Sequence, residues 1–287
     1  MTTTHTPDRE SSGRVWLITG ASSGFGQALA EVALGAGDTV VAAARRPALL
    51  DALAAAHPGR VFPVALDVTD QAQIGAVVAE VLRQHGRIDV LVNNAGRGLV
   101  GAVEETTEQE LRDLMDLHFF GPAALTRAVL PQMRSQGSGA VVQMSSMGGR
   151  FSFAGVGGYS ATKFALEGLS EALALEVAPF GIKVLIVEPG SFRTGFAGGG
   201  ALQQSAALPA YEETVGPVRE VLPSSDGKQP GDPAKAAAAI LAALEADRTP
   251  LRLALGSDAA DAILANFETS RQEALDWEPV SRSTDFD

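Results

Sequence analysis

A doubly wound α/β fold, with a parallel sheet of about seven strands and helices on both faces, is what the sequence predicts. Short apolar or β-branched runs ending in glycine, asparagine or serine alternate with alanine- and leucine-rich stretches, the pattern of repeated βα units. These runs are apolar along their whole length instead of alternating, as strands must be when helices cover both faces of their sheet. The chain has 287 residues, 46% hydrophobic and 20% charged, which gives it the length for a large core and an ordinary globular composition.

In chain order, strands are expected at 15–19, 39–44, 61–66, 88–93, 140–145, 183–187 and, after a long insertion, 252–255. Between them, helical patterns occupy 27–35, 48–56, 71–85, 107–136, 159–178 and 232–246. Pro179 with Gly181 stops one helix, and the stretch 135–139 stops another. The segment 191–230 is rich in Gly, Pro, Ala and Ser, has weak periodicity and is too long for an ordinary connector, so a lid or substrate loop is expected there. No repeat or low-complexity linker divides the chain. One domain is therefore expected over 14–287, behind a loose tail at 1–13. Its C-terminal extension, 257–287, reads equally as a surface helix, a substrate cover or a subunit arm.

Lys and Arg total 22 against 34 for Asp and Glu, a net charge of −12, so the surface field repels polyanions and nucleic-acid binding is disfavoured. The absence of cysteine excludes a disulfide framework, a thiolate metal site and a thiol nucleophile. The tail lacks the apolar core of a signal peptide, and no uninterrupted apolar run reaches about 18 residues. A soluble, cytoplasmic protein with no membrane partner is the expectation.

Directly after the first strand come Gly20, Ala21, Ser22, Ser23, Gly24, Phe25 and Gly26, leading into a helix. Glycines let a backbone approach a pyrophosphate, and a helix N-terminus offers free N–H groups to bind it; a tight strand-to-helix turn has the same spelling. The second strand ends Ala44-Arg45-Arg46, with Ala44 where an NAD enzyme would place an acid, so Arg45 is read as a fork for a 2′-phosphate or as a solvated residue opening a helix. Asp67, before Val68, is read as a partner for an adenine amino group or as a helix cap. Asn93, Asn94, Ala95 and Gly96 end the fourth strand with small residues that suit close passage of a cofactor or a plain turn. Tyr159 and Lys163 stand at i and i+4 on one helix, where an ammonium can favour the phenolate of a group that otherwise titrates at about 10. That helix follows the strand ending in Ser145-Ser146, and ligands of open α/β sheets bind beyond the carboxyl ends of strands.

With these residues in order, the chain resembles the short-chain dehydrogenase/reductase family, the single-domain type with a Rossmann fold, over 14–194 strongly and 232–256 more weakly. The resemblance implies that Tyr159 is the general acid or base, that Ser146 hydrogen-bonds the same substrate oxygen, and that Lys163 binds the nicotinamide ribose and lowers the phenol's pKa. It implies a cofactor held by Gly20, Ser22, Ser23, Gly24, Phe25, Gly26, Arg45, Asp67, Val68, Asn93, Ala95, Gly96, Tyr159, Lys163, Pro189, Gly190, Phe192 and Thr194. NADP is the expected cofactor, with NAD allowed. His118 departs from the family pattern by standing at the position of the relatives' relay asparagine; it either serves in a modified proton relay or merely packs within its helix.

Met147, Phe151, Phe153, Phe192, Phe196 and Leu202, with Arg150 and Arg193 as nearby charges, suggest a fairly hydrophobic ketone, aldehyde or secondary alcohol, although loop aromatics also serve as core anchors. The resemblance also implies a homodimer or homotetramer. The function expected is an NADP-dependent oxidoreductase. Its alternatives are a decayed NADP-binding sensor or scaffold, and an epimerase or dehydratase that keeps the cofactor.

Overall fold

The structure is a computed structural model that describes residues 13–198 and 200–286. The expected tail, apart from Gly13, lies outside the described residues. Nine strands form among them: β1 (Val15–Thr19), β2 (Thr39–Ala44), β3 (Val61–Ala65), β4 (Val90–Asn93), β5 (Gly98–Val100), β6 (Gly139–Met144), β7 (Ile182–Pro189), β8 (Leu202–Gln204) and β9 (Arg252–Leu255). Seven of them make one parallel sheet in the order β3-β2-β1-β4-β6-β7-β9. All seven strands anticipated from sequence are in it, with ends moved by up to two residues.

The helices are α1 (Gly24–Gly35), α2 (Asp51–Ala56), α3 (Gln71–His85), α4 (Glu108–Met115), α5 (Gly121–Gln136), α6 (Gly157–Val177), α7 (Glu212–Ser224), α8 (Pro233–Glu245), α9 (Ser257–Asp276) and α10 (Glu278–Arg282). Because side chains alternate along a strand, the sheet divides its apolar residues between two cores. Trp16, Ile18, Val40, Val92, Val142 and Leu185 pack with α1 and α8 on one face. Leu17, Val41, Leu91, Val141 and Val184 pack with α3, α5 and α6 on the other. This two-sided burial is why the strands read as unbroken apolar runs.

The helix expected over 107–136 is interrupted. A π turn, Asp116–Phe120, separates α4 from α5, with the Gly121 N–H bonded to the Asp116 carbonyl. Pro122 supplies the reason: it has no N–H to close the ordinary i to i+4 bond with the His118 carbonyl, so the chain widens by one residue. Gly121 fits there because a Cβ would meet the Val68 carbonyl oxygen at 2.5 Å.

Segment 191–230 is a built layer. β8 pairs in parallel with β5, fastened by Gly98 N–H to the Ala201 carbonyl at 2.7 Å and Ser205 N–H to the Val100 carbonyl at 2.9 Å. Val100, Ala102 and Val215 make a small core beneath it. Glu105, 1% exposed at its side chain, pairs with Arg219 of α7 at 2.7 Å and accepts the Leu208 N–H at 2.7 Å. The C-terminal extension forms α9 and α10; α9 buries Ala259 and Ile263 and leaves most of its length exposed in the single chain.

Breaking a buried ion pair by removing one partner leaves an uncompensated charge. Arg219→Met is therefore expected to weaken this layer by about 3 kcal/mol. Limited proteolysis should read this as faster cleavage within 200–230, before the main sheet unfolds.

Candidate active site

The turn after β1 is shaped by glycine at positions no other residue fits easily. Gly20 and Gly24 hold φ of +64° and +55°, and a Cβ on Gly26 would lie 2.6 Å from Asn94 Nδ2. A Cβ on Gly24 would come within 2.9 Å of the Thr194 side chain, so the turn lies directly against the segment after β7. Phe25 strengthens that contact by packing on Phe192 with ring centroids 5.0 Å apart. Helices α3, α4 and α8 have their first N–H groups capped by Asp70, Thr107 and Asp232. α1, like α5, α6, α7 and α9, has no such cap: Ser23 stands at its N-cap and makes no side-chain cap bond. A glycine cradle facing an uncapped helix start fits a pyrophosphate, with Ser22 and Ser23 beside it.

The opposite wall of the crevice follows β4. The Thr19 hydroxyl accepts the N–H groups of Asn94 and Ala95 at 2.9 and 3.1 Å, and the Asn94 amide donates to the Thr19 carbonyl at 2.8 Å and the Gly20 carbonyl at 3.2 Å. Asn94 is therefore the residue that ties the two strand ends together. The Asn93 side chain turns the other way, into the core, donating to Gln143 at 2.9 Å, so only its backbone can face a ligand. Asp67 does not cap α3; Asp70 does. Asp67 instead accepts the Thr69 N–H and hydroxyl through Oδ1, at 3.0 and 2.7 Å, and Val68 beside it is buried. Arg45 lies exposed just beyond β2.

Pro189 ends β7, and the turn after it is held by a residue that sequence reasoning missed. Ser191 N–H donates to Asp258 Oδ2 at 2.7 Å, and Gly190 has no Cβ because Asp258 fills that space. The only sequence signal was an acid in the first turn of a helix. Arg150 is not a free charge of the crevice, whereas Arg193 is exposed and pairs with no carboxylate among the described residues. Arg193 Nε donates to the Gln229 carbonyl at 2.6 Å, and Arg150 faces the carboxylates of Glu167 and Glu188.

Tyr159 and Lys163 start α6 and reach back toward the end of β6. Lys163, 6% exposed, donates from Nζ to the Met144 carbonyl at 2.8 Å and sits 5.6 Å from the Tyr159 ring centroid. Ser146 accepts the Gly148 N–H at 3.0 Å, which leaves its own hydrogen to donate. Tyr159 is half-buried as a residue, and burial pushes its phenol up to about 12, with the Ser146 hydroxyl pulling the other way. Burial pushes the Lys163 ammonium down to about 8, against the pull of Glu167. Burial is thus the leading influence on both groups, and it opposes the charged form of each.

His118, in the π turn, is buried with both ring nitrogens engaged. Nε2 accepts the Arg97 N–H at 3.1 Å. Nδ1 must then carry the proton, and it donates to Thr162 Oγ1 at 2.9 Å, while that hydroxyl donates to the Tyr159 carbonyl at 2.7 Å. Burial, with Lys163 and Arg97 nearby, holds its pKa well below the ordinary histidine range. This arrangement links α6 to the loop after β4 through a neutral ring.

Residues 14–203 match the short chain dehydrogenase family. A crystal structure of a short-chain dehydrogenase from Streptomyces avermitilis is 62% identical, with a TM-score of 0.92, over 96% of this chain and 100% of that one. A metagenomic short-chain oxidoreductase solved in complex with NADP is 36% identical, with a TM-score of 0.59 over 63% of this chain and 84% of its own. A short-chain dehydrogenase/reductase from Burkholderia phymatum, solved in complex with NAD, is 27% identical, with a TM-score of 0.80 over 94% and 96%.

Folded His118 refuses a proton that the unfolded chain takes up below about 6.5, so it contributes stability that is lost as the pH falls through that value. NMR of the imidazole nitrogens should find one histidine fixed as the Nδ1–H tautomer from pH 8 to pH 5. His118→Asn should leave the pH profile of turnover without a change near 6.5; a step that disappears in the variant would restore the relay role.

Proposed function

Because the chain belongs to the short-chain dehydrogenase/reductase family, we propose that it is an NADP(H)-dependent oxidoreductase that interconverts a fairly hydrophobic ketone or aldehyde and its alcohol. One observation carries this reading: Tyr159, Lys163 and Ser146 converge at the end of β6, in the same sheet-end crevice as the uncapped glycine turn.

The chemistry a bound dinucleotide brings is hydride transfer at the substrate carbon. The chain's part is orientation and a proton. Ser146, its lone pair engaged by Gly148, donates to the substrate oxygen, and the Tyr159 phenol gives that oxygen its proton. Lys163 spends one of its three N–H bonds on the Met144 carbonyl and keeps two for ribose hydroxyls. A phenol pushed up to about 12 stays protonated at neutral pH, which suits carbonyl reduction; alcohol oxidation needs the phenolate and gains with rising pH.

Ala44 at the end of β2, followed by the exposed Arg45, supports NADP over NAD. Substrate polarity is set by Phe196, whose ring lies 6.0 Å from Tyr159, and by Leu202, both of which pack over Gly98. Exposed Phe164 and Leu175, eleven residues apart and so on one side of α6, supply an apolar face for pairing two copies into a homodimer or homotetramer. Among the described residues no helix is long and apolar enough to cross a membrane, and a cytoplasmic location belongs to the same proposal.

The test is oxidation of NADPH at 340 nm with a panel of apolar ketones and aldehydes. Turnover is expected, and binding of NADPH without turnover on any member would favour the sensor reading. Tyr159→Phe should lower kcat by about a thousandfold with little change in NADPH affinity. Ala44→Asp should weaken NADPH and strengthen NADH; equal affinities before and after would overturn the role given to Arg45.

A further inference from the structure

Helix α6 carries Tyr159, Lys163 and Glu167 at i, i+4 and i+8, so the three share one face. That face meets consecutive residues at the end of β6. Lys163 holds the Met144 carbonyl, and Glu167 Oε1 accepts the Ser145 hydroxyl at 2.6 Å. The next residue is Ser146. Gly149 leaves room for this approach, since a Cβ there would sit 2.5 Å from Ser145 Oγ and would overlap the Glu167 carboxylate.

Glu167 is 3% exposed and lies in a buried ionic cluster. Its Oε2 faces Arg252 of β9 at 3.1 Å and Arg150 at 3.5 Å. Glu188 of β7 faces the same two guanidinium groups, at 3.2 and 3.7 Å. Glu171, one turn further along α6, pairs with Arg252 from the exposed side. From α9, Asn266 donates to the Arg150 carbonyl at 3.4 Å and Phe267 lies under its guanidinium at 4.9 Å. Burial and the charge of Glu167 push Glu188 up to about 7. Well-packed apolar residues of similar volume often stabilise a fold as well as such a cluster, or better, so its place beside the reacting groups calls for another explanation than stability.

We propose that Glu167 is a positioning residue of this site: one oxygen holds Ser145, and so fixes where the adjoining Ser146 hydroxyl lies, while its buried negative charge, one helical turn from Lys163, favours the ammonium there. The inference rests on the reading of Tyr159, Lys163 and Ser146 as the reacting groups, and the first measurement below needs no turnover.

The chain contains four lysines, Lys163, Lys183, Lys228 and Lys235, so labelling them with ¹³C at the ε-carbon gives four NMR signals, with Lys163 assigned by its loss in Lys163→Met. In Glu167→Gln, Lys163 should titrate about one pH unit lower than in the wild type. Should that variant not fold, Glu167→Asp, whose carboxylate retreats from Lys163, should show a smaller shift of the same sign. Ser145→Ala keeps the charge, so Lys163 should titrate as in the wild type, while kcat for ketone reduction falls about tenfold with KM for NADPH unchanged. A Lys163 titration unmoved in Glu167→Gln and Glu167→Asp, or wild-type kcat in folded Ser145→Ala, would overturn the positioning role. A wild-type protein that turns over no ketone would instead count against the oxidoreductase reading, with the lysine titration still reporting on Glu167.

Discussion

The crevice exists because the chain runs outward from β1 through β2 to β3 and then returns to place β4 on the other side of β1. Segments leaving the two neighbouring strand ends therefore diverge, and no connection covers the gap between them. Thr19 and Asn94 hold that gap to a fixed width with four hydrogen bonds across it. Every other part of the site is referred to this junction: the glycine turn rises from one lip, the loop that His118 braces leaves from the other, and Thr194 closes over Gly24 from above.

The site is also where the fold departs most from an economical interior. Elsewhere the sheet buries aliphatic side chains on both faces, and burial favours folding. Around the end of β6 it gathers an ammonium, a phenol, an imidazole and two carboxylates from α6, the π turn and β7. Desolvation moves each titrating group toward its neutral form: Lys163 and His118 downward, Tyr159 and Glu188 upward. Such an arrangement depends on hydrogen bonds to hold it: neighbouring backbone and hydroxyl groups supply them to both nitrogens of His118 and to Glu167, while Lys163 has one, to the Met144 carbonyl.

Much of this was legible in the sequence, for identifiable reasons. Buried parallel strands announce themselves as continuous apolar runs, so all seven strands of the main sheet could be read, and the glycine turn and the Tyr159–Lys163 spacing are local patterns. What escaped has little local pattern. β5 and β8 have three residues each, and α7 carries two prolines inside a segment otherwise spelled like loop. The π turn depends on one missing N–H at Pro122. Asp258 and Glu167 act across 67 and 22 residues of chain, where spacing offers no hint. For His118 the sequence posed the right question, and only the partners of its two nitrogens weigh the answer toward a strut.

Asp258 occupies an unusual position in this architecture. It lies in the first turn of α9, and through the Ser191 amide it fastens the turn that leads to Thr194. The far end of the polypeptide thus has a mechanical hold on the side of the crevice where Thr194 meets the glycine turn. A truncation, a fused tag or a docked neighbour that displaces α9 would pull on that hold directly, although most of α9 is exposed in the single chain.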